Sequence, residues 1–234
     1  MSYLINKKKQ RLAYKSIKGN SPGIIFIHGL NSDMNGLKAL SIEKYAKKSK
    51  LSFIRFDCRG HGKSDGKFED FTISDWKEDL LYIIDNLTVG PQILIGSSMG
   101  GWLMTLAAKA RSRRITGLIG LAAAVDFGNS LYKNLSKKNK IELKKNGITK
   151  YNSYNFFYYL KLKFFIDAKK NNILKNVIIY KKPLILIHGL KDNVVNYNMP
   201  RKIMNIITGN NVKIIYLKSS DHRLSKKEDL KTIN

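Results

Sequence analysis

The sequence has few cysteines, prolines, histidines and acidic residues, and no long hydrophobic run. A single cysteine, Cys58, excludes an internal disulfide and a cysteine-based metal cluster. No apolar stretch approaches the length of a membrane span. Residues 1–9 lack the apolar core of a signal peptide and are too few, ahead of the first predicted core strand, for a transit peptide. We therefore expect a soluble, cytoplasmic protein.

Acidic residues are scarce relative to basic ones: 17 Asp and Glu stand against 43 Lys and Arg, for a formal net charge of +26. Strongly basic proteins often bind phosphate backbones or anionic lipid. The lysines are spread along the chain beside abundant Asn and Ile, and no nucleic-acid recognition motif accompanies them. A general compositional bias explains the charge more simply, so we predict no specific nucleic-acid partner.

Predicted strands and helices alternate along the chain, which is typical of a mostly parallel sheet with helices on both faces. The 234 residues contain no internal repeat and suit one domain. Part of an N-terminal hairpin is predicted at 11–17, and a helix begins at Thr72 and continues to Leu87. Core strands are predicted from Gly23 and at 52–57, 92–95, 115–121, 184–187 and 212–217.

The most informative stretch is the apolar run 93–95 followed by Gly-Ser-Ser-Met-Gly at 96–100. Gly-x-Ser-x-Gly between a strand and a helix is typical of a sharp turn that exposes one serine, here Ser98. Small residues at 96, 100 and 101 let such a turn pass close to its neighbours. The motif alone arises by chance, but in this context it predicts a nucleophile and not merely a tight turn.

A serine nucleophile needs a general base, and the chain offers four histidines. His222 directly follows the last predicted strand, at the end where sites in open α/β sheets gather. His28 and His188 end apolar runs, which indicates groups that shape a turn or line a pocket. His61 lies in a glycine-rich loop, where we expect it to be solvated. His222 is therefore the predicted base.

The base in turn needs a carboxylate that fixes its tautomer. Asp192 follows the strand at 184–187 and falls between Ser98 and His222 in the chain, in the order serine, acid, histidine that accompanies this turn. Asp126, just past the apolar run 115–125, is a rival. Asp221 is a poorer candidate, because a side chain adjacent in sequence rarely reaches its neighbour's ring. We predict Asp192 as the acid.

Acyl transfer also needs two backbone N–H groups aimed at the developing oxyanion. One is predicted at Met99, where the start of the helix favours negative charge. The second is predicted at Leu30, in the loop after the first core strand, with Gly29 supplying backbone freedom. We also expect His28, Gly29 and Trp102 to contact the substrate.

Residues from about 128 to 182 interrupt the alternation of strands and helices. They are rich in lysine and aromatics and lie between two core strands, which predicts a helical lid over the strand ends. The aromatics either line an acyl pocket or pack the lid onto the domain, and we favour packing for most of them. They are Tyr151, Tyr154, Phe156, Phe157, Tyr158, Tyr159, Phe164 and Phe165.

The order of elements, with Ser98, Asp192 and His222, resembles the α/β-hydrolase superfamily. Within it, the chain is similar to the mitochondrial palmitoyl-protein thioesterase (mycophenolic acid acyl-glucuronide esterase) family and its bacterial relatives. The motifs that carry this similarity are Ser21-Pro22-Gly23, Ser32-Asp33-Met34, Arg55-Phe56-Asp57, Ser64-Asp65-Gly66, residues 91–104 and Ser220-Asp221-His222-Arg223. The resemblance covers nearly the whole chain and is loosest in the lid. It implies cleavage of long-chain acyl thioesters on protein cysteines, and of activated acyl esters, with no metal or cofactor.

The sequence thus predicts a serine hydrolase whose substrate is a small acyl ester or an acylated protein. Another chemistry on the same fold, such as that of a perhydrolase or a carbon–carbon bond hydrolase, stays open because function resides in the pocket. A non-catalytic binding module and a nucleic-acid or membrane-surface role are further alternatives. The joint presence of nucleophile, acid and base argues against a non-catalytic module.

Overall fold

A computed structural model describes residues 1–153 and 156–234 of the chain. The strands in these residues are β1 (Ser2–Ile5), β2 (Arg11–Ile17), β3 (Asn20–Ile27), β4 (Leu51–Phe56), β5 (Gln92–Ser97), β6 (Ile115–Leu121), β7 (Ile148–Ser153), β8 (Phe156–Lys161), β9 (Leu184–Gly189) and β10 (Val212–Leu217). The helices are α1 (Leu37–Lys48), α2 (Ile73–Leu87), α3 (Met99–Ala110), α4 (Phe127–Asn134), α5 (Lys137–Asn146), α6 (Leu162–Lys170), α7 (Met199–Ile206) and α8 (Lys227–Ile233).

Eight strands form one sheet in the order β1-β2-β4-β3-β5-β6-β9-β10. β1 pairs antiparallel with β2, and β2 pairs antiparallel with β4. The other neighbouring pairs of this sheet are parallel: β4–β3, β3–β5, β5–β6, β6–β9 and β9–β10. The predicted mostly parallel sheet is therefore confirmed, and the carboxyl ends of β3, β5, β6, β9 and β10 lie at one edge of it.

Helices cover both faces of the sheet, as the sequence predicts. β5 illustrates why: Leu94 belongs to one hydrophobic core, while Ile93 and Ile95 pack against the other. A strand buried on both faces needs apolar residues at consecutive positions, which is how parallel strands read in sequence. α2 and α3 cover the first core, and α1 and α8 cover the second.

α2 begins where the sequence predicts. Both the backbone N–H and the hydroxyl of Thr72 donate to the Asp75 carboxylate, at 3.0 and 2.9 Å. The Asp75 carboxylate thus accepts both bonds at the first turn and satisfies a backbone donor that a helix start otherwise leaves without a partner. Trp76, Leu80, Ile83 and Ile84 then recur along the buried face of the helix.

The segment between β6 and β9 differs from the predicted helical lid. It contains α4, α5 and α6, but also the antiparallel hairpin β7–β8, in which Tyr151 pairs with Tyr158 and Lys150 with Tyr159. Aromatic and β-branched residues favour a strand, and the consecutive aromatics of β8 decide the local structure here. Of the aromatics predicted to pack, Tyr154 and the side chain of Phe156 lie outside the described residues. Over the described residues, no helix combines the length and the apolar character needed to cross a bilayer.

Four aromatics of this insertion divide into a buried pair and an exposed pair. Phe164 and Phe165 on α6 are buried, as expected for packing onto the domain. Phe157 and Tyr159 on β8 are 57% and 42% exposed, so these two lack the packing role that the sequence favours for most of the aromatics. Phe157 and Tyr159 lie on the face of the hairpin opposite to Tyr158, because neighbouring side chains of a strand point to opposite faces.

Candidate active site

Ser98 sits on the sharp turn between β5 and α3. Its backbone has φ +52° and ψ −115°, a conformation that L-residues rarely adopt and that the surrounding structure must hold in place. The close packing of the turn explains the neighbouring glycines. A Cβ on Gly100 would lie 2.2 Å from the carbonyl oxygen of Ile27, and a Cβ on Gly96 would lie 2.2 Å from the carbonyl oxygen of Gly100. The strained turn presents the Ser98 side chain to a cavity.

Three side chains predicted as catalytic meet at the carboxyl edge of the sheet. Ser98 follows β5, Asp192 follows β9, and His222 follows β10. The Nε2 atom of His222 lies 3.0 Å from Oγ of Ser98, and its Nδ1 atom lies 2.8 Å from Oδ2 of Asp192. The parallel strands bring together groups that are far apart in sequence, because their carboxyl ends share one edge.

The Asp192 carboxylate has a full set of hydrogen-bond donors. Its Oδ1 accepts from the N–H groups of Val194 and Val195, each at 2.8 Å. Its Oδ2 receives His222 and also lies 3.3 Å from Nε2 of His188. Burial by itself would raise the pKa of Asp192, but the hydrogen bonds from His188, His222 and Val195 outweigh it and hold that pKa well below its usual range. Asp192 is therefore ionised at neutral pH.

The ionised carboxylate determines the tautomer of His222. A carboxylate can only accept hydrogen bonds, so Nδ1 of His222 carries the proton that points at Asp192. In the neutral ring Nε2 is then an acceptor and faces the Ser98 hydroxyl. This is the protonation state that a general base needs before it takes a proton from serine.

Leu30 and Met99 are the predicted oxyanion donors. Met99 is the first residue of α3, and Leu30 lies in the loop after β3. A Cβ on Gly29 would lie 3.2 Å from the Cβ of Ser98, so this loop runs directly against Ser98. Among the described residues, neither the Leu30 nor the Met99 N–H group has a hydrogen-bond acceptor, which leaves both available to a ligand.

Two buried histidines hold the loop that carries Leu30. Nε2 of His28 accepts from the Cys58 N–H at 3.0 Å, so its Nδ1–H donates to the Gly29 carbonyl at 2.7 Å. Nε2 of His61 accepts from the Asn31 N–H at 3.2 Å. Burial, and after it the nearby His28, lowers the pKa of His61 to about 3. The expectation of a solvated His61 is wrong, and His28 is too deeply buried for the predicted contact with substrate.

Trp102 does not face the cavity either. Its side chain is fully buried, its Nε1–H donates to the carbonyl oxygen of Asn171 at 3.1 Å, and its ring packs edge-on against Phe127. The predicted substrate contact is therefore replaced by a packing role, in which Trp102 joins α3 to the insertion. A buried indole needs a hydrogen-bond acceptor, and Asn171 supplies it.

The rival acids have other partners. The Asp126 carboxylate accepts from the N–H groups of Ile173 and Leu174 and so fixes the loop after α6. Asp221 accepts from the N–H of Arg223. Within the described part of the chain, neither carboxylate makes a hydrogen bond to the ring of His222, whereas Asp192 does.

A cavity of about 610 Å³ opens beside Ser98 and His222. The insertion lines one side with Phe127, Leu131, Tyr151 and Tyr158, together with the polar residues Ser130 and Asn134. The opposite wall consists of the loops after β9 and β10 and includes Lys191, Asp221 and Arg223. Sequence reasoning missed Leu131, Lys191 and Arg223. Leu131 lies within α4, Lys191 precedes Asp192, and Arg223 follows His222. These positions are the only signal of their role in the sequence.

Among the described residues, no group of three or more His, Cys, Asp or Glu is placed to hold a metal ion.

Comparison with known proteins gives concordant matches. Residues 20–152 match the family described as serine aminopeptidase, S33. The chain is 40% identical to palmitoyl-protein thioesterase ABHD10, mitochondrial, from Bos taurus and from Homo sapiens, over 100% of this chain and 77% of each relative. The solved structure of the mouse α/β hydrolase domain-containing protein 10 superposes with a TM-score of 0.91 at 38% identity, covering 99% of this chain and 94% of that one.

A more distant structure shares the fold alone. Est1E from Butyrivibrio proteoclasticus, solved with ferulic acid bound, has a TM-score of 0.84 at 23% identity and covers 100% of this chain and 94% of its own. The prediction of a cytoplasmic protein is wrong in the light of the nearer relatives, because those from cattle and human are named as mitochondrial proteins. By its family match and its full-length relatives, the chain belongs to the serine aminopeptidase S33 family of α/β hydrolases and is an ester-hydrolysing enzyme.

Proposed function

We propose that the protein hydrolyses long-chain acyl thioesters carried on protein cysteines, and related activated esters, through a covalent intermediate on Ser98. The observation that carries the proposal is the hydrogen-bonded series Ser98–His222–Asp192, whose serine and histidine line a cavity that also contains apolar side chains. The relatives named palmitoyl-protein thioesterase support the choice of acyl group.

In the first half of the reaction, Ser98 Oγ attacks the acyl carbonyl while Nε2 of His222 takes the hydroxyl proton. The carbonyl oxygen becomes an oxyanion and is held by the N–H groups of Met99 and Leu30. The tetrahedral intermediate collapses, the bond to the leaving group breaks, and the imidazolium of His222 protonates the departing thiolate or alkoxide. Ser98 then carries the acyl group.

In the second half, water replaces the leaving group. His222 takes a proton from the water, and the resulting hydroxide attacks the acyl-serine carbonyl. The second tetrahedral intermediate releases a carboxylic acid and returns the proton to Ser98 Oγ. Asp192 stays ionised throughout and stabilises the imidazolium that forms twice in the cycle. Loss of one of the two oxyanion donors costs roughly 3 kcal/mol of transition-state stabilisation.

The side chains of Phe127, Leu131, Tyr151 and Tyr158 offer apolar surface to an extended acyl chain. Burial raises the pKa of Tyr158 above its usual value, so its ring meets the ligand as a neutral phenol. The polar wall with Lys191 and Arg223 faces the leaving-group side of Ser98 in this proposal. A long acyl chain therefore gains contact area that a short one lacks.

The test compares thioesters of matched leaving group and different acyl length. We expect kcat/KM for a palmitoyl thioester to exceed that for the acetyl thioester, and the Ser98→Ala variant to lose turnover of both. Equal kcat/KM values for the two lengths would contradict the acyl-chain proposal while leaving the nucleophile in place. Undiminished turnover by Ser98→Ala would contradict the mechanism itself.

A further inference from the structure

The β7–β8 hairpin has two faces of different character. Tyr151 and Tyr158 form a cross-strand pair that lines the cavity. The opposite face, which we call the hairpin outer face, consists of Lys150, Asn152, Phe157 and Tyr159, all exposed. A hairpin that lay against the domain by hydrophobic packing alone would not need aromatic rings on its solvent side. Two neighbouring exposed aromatics on one strand point to a contact with another surface.

A cation accompanies the aromatics on this face. Nζ of Lys150 lies 3.7 Å from the centroid of the Phe157 ring. Aromatic rings flanked by ammonium groups are the composition of surfaces that lie at a membrane interface. There the ring enters the boundary of the acyl region and the ammonium stays among the headgroups.

The insertion carries a higher density of positive charge than the chain as a whole. Residues 128–182 hold 14 of the 43 basic residues but only 2 of the 17 acidic ones, which gives this quarter of the chain a formal charge of +12 out of +26. A compositional bias spread evenly over the chain would not deplete acidic residues from one segment. Four exposed lysines lie on α5, the helix that follows α4 and leads into β7: Lys137, Lys138, Lys144 and Lys145.

We propose that the hairpin outer face, with the lysines of α5, docks the protein on an anionic lipid bilayer. Electrostatic attraction brings the insertion to the surface, and each lysine near an anionic membrane strengthens binding by roughly fivefold. Phe157 and Tyr159 then enter the interfacial layer. The apolar rings favour a bilayer over a nucleic-acid duplex, whose paired and stacked bases leave the phosphates to meet the lysines.

Docking would place the substrate cavity close to the membrane, because Tyr158 lines the cavity and its neighbours Phe157 and Tyr159 face outward from the same strand. A long-chain acyl group held in the bilayer would then have a short path to Ser98. This consequence rests on the proposed function, whereas binding to the bilayer does not. Docking and hydrolysis can therefore fail separately.

The experiment is co-sedimentation of the 234-residue chain with vesicles, read as the fraction of protein bound. One set of vesicles contains equal parts of phosphatidylglycerol and phosphatidylcholine, and the other is phosphatidylcholine alone. The variants are Phe157→Ser/Tyr159→Ser for the rings and Lys137→Gln/Lys138→Gln/Lys144→Gln/Lys145→Gln for the charge. The matched control is Tyr3→Ser on β1, because Tyr3 is 42% exposed, as Tyr159 is, and also lies beside a cation, Arg11.

We expect binding to the anionic vesicles that weakens with added salt, and little binding to the neutral ones. The ring variant should lower the partition constant by roughly tenfold, the lysine variant by at least that much, and Tyr3→Ser should leave it unchanged. Thermal unfolding of each variant verifies the fold, and Ser98→Ala should bind as the unaltered chain does, which separates docking from catalysis.

Three results would overturn the proposal. The first is absence of binding to the anionic vesicles. The second is binding that the ring variant and Tyr3→Ser reduce equally, since the hairpin would then have no special part in it. The third is a duplex oligonucleotide that binds at this face and displaces the vesicles, with affinity that the lysine variant lowers and the ring variant does not. That result would assign the face to nucleic acid.

Discussion

Asp192→Asn is the substitution that tests the hydrogen-bonded series Ser98–His222–Asp192 most selectively. The new amide keeps an oxygen at the Oδ1 position, where the N–H groups of Val194 and Val195 donate at 2.8 Å, so its NH₂ group takes the Oδ2 position. That group is a donor and lies where Nδ1 of His222 now donates at 2.8 Å. Two donors cannot share the position, so the imidazole adopts the tautomer with its proton on Nε2.

The magnitude follows from the loss of the acceptor. A neutral His222 ring with its proton on Nε2 has no free lone pair on that atom to accept the Ser98 proton. The distance between Nε2 and Oγ, 3.0 Å in the structure, need not change. We expect kcat to fall roughly 10⁴-fold, or about 5 kcal/mol of activation free energy. KM should change far less, because Asp192 does not line the cavity.

The assay is steady-state hydrolysis of p-nitrophenyl butyrate, with thermal unfolding to verify the fold. Asp85→Asn is the matched control. Asp85 pairs with Arg111 at 2.7 Å on the surface, and this exposed pair contributes at most about 1 kcal/mol to stability. A folded Asp192→Asn variant that lost less than about tenfold in kcat would refute the reasoning. A larger loss from Asp126→Asn than from Asp192→Asn would point to the rival acid.

The remaining predictions concern packing and pH. Trp102→Phe should lower the free energy of unfolding by about 1–3 kcal/mol, because the buried Asn171 carbonyl loses its donor; denaturant unfolding measures this, and a raised KM at unchanged stability would restore a substrate role for Trp102. Gly100→Ala should destabilise by about 1–3 kcal/mol or more, since its Cβ would lie 2.2 Å from the Ile27 carbonyl oxygen; a thermal midpoint equal to that of the unaltered chain would contradict this packing. The depressed pKa of Asp192 adds stability that is fully present above its unfolded pKa, about 3.9, and is lost as pH falls towards the folded value. The gap in unfolding free energy between the unaltered chain and Asp192→Asn should therefore shrink in acid, and a gap that widened there would reverse the sign of the argument.

The arrangement of the strands was accessible from sequence because the signals are local. The mostly apolar runs at 92–95 and 115–121 place apolar side chains on both faces of a strand. A sheet with helices on both faces buries these side chains. The parallel arrangement then places the residues after β5, β9 and β10 at one edge. The sequence therefore predicts Ser98, Asp192 and His222 as one group without any knowledge of the distances between them.

What the sequence did not reveal depends on contacts between distant segments. His61 is in a glycine-rich loop, which predicts exposure, yet the loop folds inward and its ring packs against His28 and Trp76. Trp102 is one position of an apolar helix whose sides look alike in sequence. Its role became clear only from the position of Asn171, 69 residues away.

The insertion shows a second limit. A lysine-rich segment with clustered aromatics fits a helix or a strand, and the alternation across β8 is visible only once Tyr158 is known to face the cavity. Lys191 and Arg223 flank predicted catalytic residues, but no periodic pattern distinguishes them from other lysines and arginines on the surface. The cavity wall that they form is a product of two loops meeting.

The most direct test of the central claim is to look for the covalent intermediate. The protein is mixed with a palmitoyl thioester, quenched in acid within the first turnover, digested and measured by peptide mass spectrometry. We expect one palmitoyl group on the peptide that contains Ser98, and none on that peptide in Ser98→Ala. A palmitoyl group on another residue, or rapid turnover by Ser98→Ala, would contradict the assignment of Ser98 as the nucleophile.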